Sequence, residues 1–234
     1  MKNTGHQNVE TWDKAYEGIA PWDIPGPQPD LREWIAGESV VGPALDIGCG
    51  SGEHAILLAK SGYQVVAIDW STVAIDMAKA KVDLFNETFD KQYIGDQASS
   101  PEELGSVAAA LPLNIDFQVM DVMKVNDLKT CFGLVLDCGL FHFFKGQSRD
   151  DLLTRLRSVM RSGGRFYSLC FSDDEPGEVG PPRLSKAEIR KAFSRPDWKL
   201  IAVEPRRFQT LTGKGFPAFS PGGARAWILT AETR

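Results

Sequence analysis

Leu45-Asp46-Ile47-Gly48-Cys49-Gly50-Ser51-Gly52-Glu53-His54, followed after an apolar helical stretch by Val65-Val66-Ala67-Ile68-Asp69-Trp70, decides the fold. A short apolar strand enters three glycines on alternate residues, then a helix, then a second strand that ends in an acid. This is a βαβ unit shaped to hold a nucleoside. A dinucleotide fingerprint has its third glycine where this chain has Glu53, at the helix N-terminus that approaches a pyrophosphate. A carboxylate there repels phosphate, so the pattern points to a nucleoside ligand without one. Asp69, at the end of the second strand, is placed to accept both hydroxyls of a ribose.

S-adenosylmethionine meets both conditions: it carries a ribose, and its methionine end is zwitterionic rather than a polyphosphate. Residues 45–69 resemble the first two cofactor motifs of class I methyltransferases. The resemblance implies a Rossmann-like α/β fold, a seven-stranded mostly parallel sheet with helices on both faces. Its final strand would be inserted antiparallel between the fifth and sixth. The competing reading of the glycine loop, a dehydrogenase, predicts nicotinamide binding instead.

A chain of 234 residues, 43% of them hydrophobic, is long enough for one sizeable core and short for two ordinary domains. A single domain over 1–234 is therefore expected. The net charge of -5, with no run of five basic residues, speaks against a nucleic acid partner. Cys49, Cys131, Cys138 and Cys170 lie in or beside apolar strand-like runs and form no Cys-x-x-Cys pair. They read as reduced, buried thiols rather than disulfides or a zinc site, and no metal is expected. No apolar run reaches about 18 residues and no apolar leader follows a basic start, so a soluble cytoplasmic protein without a membrane partner is expected.

Apolar spacing predicts a helix over 72–85, after the capping candidates Ser71 and Thr72. Residues 86–112, with an Ala-rich helical turn at 102–111, are longer than an ordinary helix-to-strand loop and read as an insertion, either solvated or a lid. Regular structure resumes with a third strand at Ile115–Met120 ending at Asp121, and a fourth at Gly133–Leu136 ending at Asp137. Ser148–Met160 is an amphipathic helix closed by Gly163 and Gly164, and Arg165–Phe171 a fifth strand. A Pro-rich loop over Ser172–Arg183 leads to a helix from Ser185 with Glu188 at its capping-box position. Trp198–Val203 and residues 225–230 make the last two strands. Gly48, Asp69, Asp121 and Asp137 all fall at carboxyl ends of strands, where ligands bind in open α/β sheets.

Gly48 and Gly50 leave backbone amides open to a methionine carboxylate. Asp46 either reaches the methionine amine or braces the loop. Asp121 stands where methyltransferases of this class place an acid at the adenine amino group, with the amide of Val122 on a ring nitrogen; otherwise it is a helix cap. Trp70 either lies along the adenine face or packs in the core. Asp137 would face the methionine amine or the sulfonium side. His142 has two readings, a base that takes a proton from a hydroxyl or thiol, or a packed ring that donates to a backbone carbonyl. His6, in a tail, and His54, at a helix start, are weaker candidates. The Asn-Pro-Pro-Tyr type sequence of amino-methylating enzymes is missing.

Ahead of the first strand, Trp12-Asp13-Lys14-Ala15-Tyr16 and Ala20-Pro21-Trp22-Asp23-Ile24-Pro25 place aromatics that a sheet core does not explain. Aromatic faces hold a sulfonium by cation–π attraction. The pattern resembles the N-terminal lid of the thiopurine and thiol methyltransferase group, which implies that Trp12, Tyr16 and Trp22 in a lid over 1–40 close on the cofactor. Asp137-Cys138-Gly139-Leu140-Phe141-His142, Cys170-Phe171-Ser172-Asp173 and Gly222-Gly223-Ala224-Arg225-Ala226-Trp227 are similar to stretches of bacterial heterocyclic toxin methyltransferases. Those enzymes methylate hydroxyl or related groups on small heterocycles such as hydroxyquinolones.

This likeness spans nearly the whole chain except 86–112. It implies methyl transfer to a hydroxyl, thiol or ring nitrogen of a small aromatic or heterocyclic molecule, a detoxifying role, and a monomer or homodimer. His142 and Asp137 would be catalytic, with Phe141, Phe171, Phe216 and Phe219 around the acceptor. The run Asp173-Asp174-Glu175 reads as a solvated turn. The neighbouring reading is a thiol, halide or thiocyanate methyltransferase. A non-catalytic cofactor sensor would show a broken glycine loop or missing acids, and neither is seen.

Overall fold

The computed structural model describes residues 9–37, 42–93 and 112–234, with side chains beyond Thr88 in the first long crossover helix left aside. Its centre is β1 (Ala44–Ile47), four residues without an exposed side chain. Such a strand is buried on both faces, which is why Ala44-Leu45-Asp46-Ile47 reads as a continuous run rather than an alternation. β1 pairs in parallel with β2 (Val65–Asp69) on one side and β4 (Phe132–Cys138) on the other. β3 (Ile115–Val119), β5 (Met160–Phe171), β6 (Trp198–Phe208) and β7 (Ala224–Thr233) complete a sheet of order β3-β2-β1-β4-β5-β7-β6. β7 is antiparallel to both neighbours, as expected from the resemblance.

Successive side chains of a strand point to opposite faces, and here the two faces feed two cores. Leu45, Val135 and Phe166 join Leu152, Leu153 and Leu156 of α5 (Gln147–Val159) and Ile189 of α6 (Lys186–Ala192). Leu136, Tyr167 and Leu169 face the other way. There they meet Leu31 and Ile35 of α2 (Pro29–Ala36), Leu58 of α3 (Glu53–Lys60) and Ile75 of α4 (Thr72–Tyr93). The capping box expected at Ser185 and Glu188 is present, each group meeting the other's backbone amide.

Several boundaries differ from the expected ones for physical reasons. Gly163 and Gly164 do not cap a helix: α5 hands over to β5 at Met160, and the Gly164 amide donates to Thr233 Oγ1 at 3.0 Å. A Cβ on Gly164 would come within 2.9 Å of the Arg161 carbonyl, so the strand itself requires this glycine. β6 runs on through Pro205 to Phe208 because it is an edge strand paired only with β7, where a missing N–H is tolerated.

α4 continues eight residues past Phe85, to Tyr93, into the segment read as an insertion. The remainder of that reading, 94–111 with its helical turn, lies outside the described residues, as does His6. The Asn86 side-chain amide accepts from Leu113 N at 2.8 Å and donates to its carbonyl at 3.1 Å, which ties α4 to the residues just ahead of β3. All four cysteines are free thiols; Cys49 and Cys170 are buried, but Cys131 is exposed, contrary to the reading of all four as buried. Among the described residues no helix is long and apolar enough to cross a membrane.

The chain ahead of β1 forms α1 (Val9–Glu17) and α2 and is fastened to the body of the sheet by several hydrogen bonds. Asp13 accepts from Ser71 Oγ at 2.6 Å, at the start of α4. Gln28 pairs with the backbone of Gln209 through both its amide groups, at 2.9 and 2.8 Å. These bonds lay the N-terminal segment across the carboxyl ends of the strands.

Candidate active site

A cavity of about 930 Å³ opens at those carboxyl ends, walled by the glycine loop, the N-terminal segment and the loops that follow β4, β5 and β6. Gly48, Gly50, Asp69, Trp70, Asp121 and Val122 line its first half, and Trp12, Tyr16 and Trp22 close it from above. Gly50 has φ +53°, and a Cβ there would lie 2.5 Å from the Tyr16 hydroxyl. Only a residue without a side chain lets the aromatic lid come down on the loop. Trp22 donates its indole N–H to that hydroxyl at 3.0 Å and meets Trp12 edge to face at 5.5 Å.

Asp69 accepts the Gly50 amide on Oδ2 at 2.9 Å and the Ser71 amide on Oδ1 at 2.8 Å. Each oxygen keeps a lone pair for a ribose hydroxyl. Burial raises the Asp69 carboxyl above its usual range, while these amide bonds work the other way. Asp121 is a cap, its Oδ1 accepting from Met123 N at 2.9 Å at the start of the 3-10 turn Val122–Asp127, and the residue also lines the cavity. Around the loop a network missed in the sequence forms: Ser51 donates to Asp23, and Lys81 donates to Ser51 at 2.7 Å and pairs with Glu53 at 2.7 Å. Asp23 lay inside the Pro-Trp-Asp stretch, and its reach was the signal overlooked.

Asp137 sits differently from either expected role. Its carboxyl accepts from the Leu140 and Phe141 amides, at 2.9 and 3.1 Å, and from the Ser168 hydroxyl, and it does not line the cavity. It braces the turn after β4. Burial pushes its carboxyl up to about 7 against those three hydrogen bonds. Asp46 is likewise behind the cavity wall and fully buried, with only the Ala55 backbone amide working in favour of its charge. Burial, then Asp137 and Asp69, raise its carboxyl well above the usual range.

The second half of the cavity is apolar, walled by Phe143, Phe171, Phe208, Phe219, Pro181 and Pro182. Phe171 meets Phe208 at 4.9 Å and Phe219 at 5.3 Å between ring centres. Phe208 was not anticipated because β6 was expected to end at Val203. Two expected wall residues are elsewhere. Phe141 is fully buried in the core against Phe166 and Phe193, since the 3-10 turn it opens directs it inward. Phe216 does not line the cavity, whereas Pro217 and Phe219 of the same loop do.

Glu175, read as part of a solvated turn, is buried and accepts from the Ser220 and Arg225 amides at 2.8 and 2.7 Å. Burial opposes its charge, but these bonds prevail and hold the carboxyl below the usual range. It ties the two loops of the apolar wall together.

His142 lines the cavity where β4 has ended, leaving Phe171 of β5 paired with β7 but without a strand on its β4 side. Its Nδ1 accepts the Phe171 amide at 3.3 Å, so the ring donates to no carbonyl as one reading expected. This hydrogen bond uses the lone pair of the neutral ring and fixes the proton on Nε2. Nε2 is buried and meets no partner in the protein. Burial alone pushes the imidazolium down to about 3, so the ring is neutral.

Residues 45–168 match the family described as methyltransferase domain. The chain is 26% identical, over 95% of its length and 89% of the relative's, to 2-heptyl-1-hydroxyquinolin-4(1H)-one methyltransferase of Mycobacteroides abscessus. It is 24% identical to the probable thiol methyltransferase 2 of Arabidopsis thaliana, over 82% of this chain and 75% of that one. The crystal structure of magnesium protoporphyrin IX methyltransferase from Synechocystis with bound S-adenosylmethionine superposes with a TM-score of 0.61 at 15% identity, covering 98% of both chains. At that identity the likeness is one of fold.

Proposed function

We propose that this chain, which belongs to the methyltransferase domain family, transfers the methyl group of S-adenosylmethionine to a hydroxyl, thiol or ring nitrogen of a small aromatic or heterocyclic molecule. The observation that carries the reading is the two-part cavity, with a ribose-competent carboxylate and glycine loop in one half and an aromatic slot in the other. When bound, the cofactor supplies an electrophilic methyl on a sulfonium. Asp69 holds the ribose, the amides around Gly48 and Gly50 hold the methionine carboxylate, and Asp121 with the Val122 amide takes the adenine edge. Trp12, Tyr16 and Trp22 cover the cation and exclude water. Phe171 and Phe219, in edge-to-face contact at 5.3 Å, form one apolar wall against which a flat acceptor can lie, which supports a heterocycle as substrate, in keeping with the quinolinone relative.

Similarity to the thiol methyltransferase favours a second reading, methylation of a thiol or a small anion. A labelled-methyl assay over hydroxyquinolones, phenols, thiols and thiocyanate separates the two. Transfer to the heterocycles is expected. Calorimetry giving tight nicotinamide dinucleotide binding and none of S-adenosylmethionine overturns both.

A further inference from the structure

Resting on that function, we infer that His142 serves as a hydrogen-bond donor through Nε2–H to an acceptor molecule that enters the cavity already as an anion, and that the enzyme uses no protein base. Three observations carry this. The first is the committed lone pair: Phe171 N–H, itself buried in β5, donates to Nδ1 at 3.3 Å. Moving the ring proton to Nδ1 would set two donors against each other and orphan that amide. The second is the unsatisfied donor. His142 lines the cavity and its Nε2 is buried with no protein partner; a buried donor left so is costly, and the molecule that fills the cavity is its assigned partner.

The third is the absence, among the described residues, of another base on the acceptor side. Asp137 on β4 is turned to Leu140, Phe141 and Ser168. Arg149 of α5 donates to the Phe144 carbonyl, Cys138 and Cys170 have thiols pushed up first by burial, and the facing side chains from β6 and the loop after it are Phe208 and Phe219. Lys145 is an exposed cation at the cavity rim. The acids Asp69 and Asp121 lie at the ends of β2 and β3, across β1 from this slot. Asp23 and Glu53 are engaged at the glycine loop by Ser51 and Lys81. The Tyr16 hydroxyl accepts from Trp22 there, and His54 Nε2 accepts the Gln28 amide. A donor, a cation at the rim and the sulfonium all favour an anion.

The balance is simple. The acceptor loses its proton to water or buffer before transfer. A lone pair of its oxygen or sulfur then forms the bond to the methyl carbon, while the pair of the breaking S–C bond returns to sulfur, leaving a neutral thioether. The sites of choice are acidic heteroatoms, N-hydroxyls of heterocycles and aryl thiols, rather than alcohols.

The test has two arms. In long-range ¹H–¹⁵N spectra of the histidine-labelled protein, the His142 ring is expected as the Nε2–H tautomer at neutral pH; an Nδ1–H tautomer overturns the inference. In kinetics with para-substituted thiophenols of graded acidity, the acid limb of kcat/KM is expected to follow the pKa of each thiol. A limb fixed at one pH for the whole series overturns it, whether or not His142→Gln abolishes that limb. His142→Gln, which keeps a donor near Nε2, should stay within about threefold of the parent, and His142→Leu should lose roughly 10- to 100-fold, the size of a hydrogen bond to a charged group. Failure of every acceptor together with absent S-adenosylmethionine binding would instead refute the proposed function.

Discussion

Asp69 accepts the backbone amide of Gly50 at 2.9 Å, joining the end of the second strand to the middle of the glycine loop. One carboxylate thus shapes the loop and is also the group proposed to take a ribose, so on that proposal loop and ribose site rise or fall together. Asp69→Ala should weaken binding of S-adenosylhomocysteine by about 10- to 100-fold, the scale of lost hydrogen bonds to a charged group. Isothermal calorimetry reads this directly, and an affinity within twofold of the parent would refute the assignment.

The lid hangs on the bond from Ser71 Oγ to Asp13, 2.6 Å long and at the N-terminus of the helix that follows Asp69. Asp13→Ala removes the tether without touching the cavity, which Asp13 does not line. The KM for S-adenosylmethionine should rise roughly three- to tenfold, the effect of one lost hydrogen bond at about 1 kcal/mol. Tryptophan emission, from Trp12 and Trp22, should become more exposed to an added quencher. Unchanged KM and quenching would show that α1 needs no such anchor.

The glycine loop and the strand-end acids were legible in the sequence, because each follows from local patterning, glycine spacing and a carboxylate after a strand, whereas the antiparallel last strand followed only from the family resemblance. What was not legible depended on direction. Asp137 and Phe141 carry the residue types of a site, yet one turns to three donors behind the wall and the other into the core. A 3-10 turn of three residues, Phe141–Phe143, decides which of three adjacent aromatic rings faces the ligand, and no periodicity announces so short an element. Glu175 was misread for a related reason, since its partners, Ser220 and Arg225, are far along the chain.

That division between core and wall is measurable. Phe141→Ala should destabilise the protein by about 3–5 kcal/mol, as for large buried aromatics cut to alanine, and lower the melting temperature sharply. Phe219→Ala should leave the melting temperature nearly unchanged and raise the acceptor KM. Equal destabilisation by both changes would place Phe219 in the core and remove it from the acceptor wall.

His54 gives a prediction that isolates one titration. Its Nε2 accepts the Gln28 amide at 3.1 Å, which requires the neutral ring, and burial lowers its pKa to about 4 from the 6.5 of an unfolded chain. Between these values the unfolded chain binds the proton and the folded one does not, so unfolding takes up a proton and acid favours it. The stability from the neutral ring is therefore full above about pH 6.5 and is lost as pH falls towards 4. His54→Gln retains an acceptor for Gln28 and cannot titrate. The raised carboxyls of Asp46, Asp69 and Asp137 act with the opposite sign but are common to both proteins. The variant should accordingly gain on the parent by about 1–3 kcal/mol between pH 7.5 and 4.5, the half-buried ring keeping the change below the full shift. Denaturant melts at the two pH values measure it, and a constant difference would mean that His54 is protonated in the folded protein.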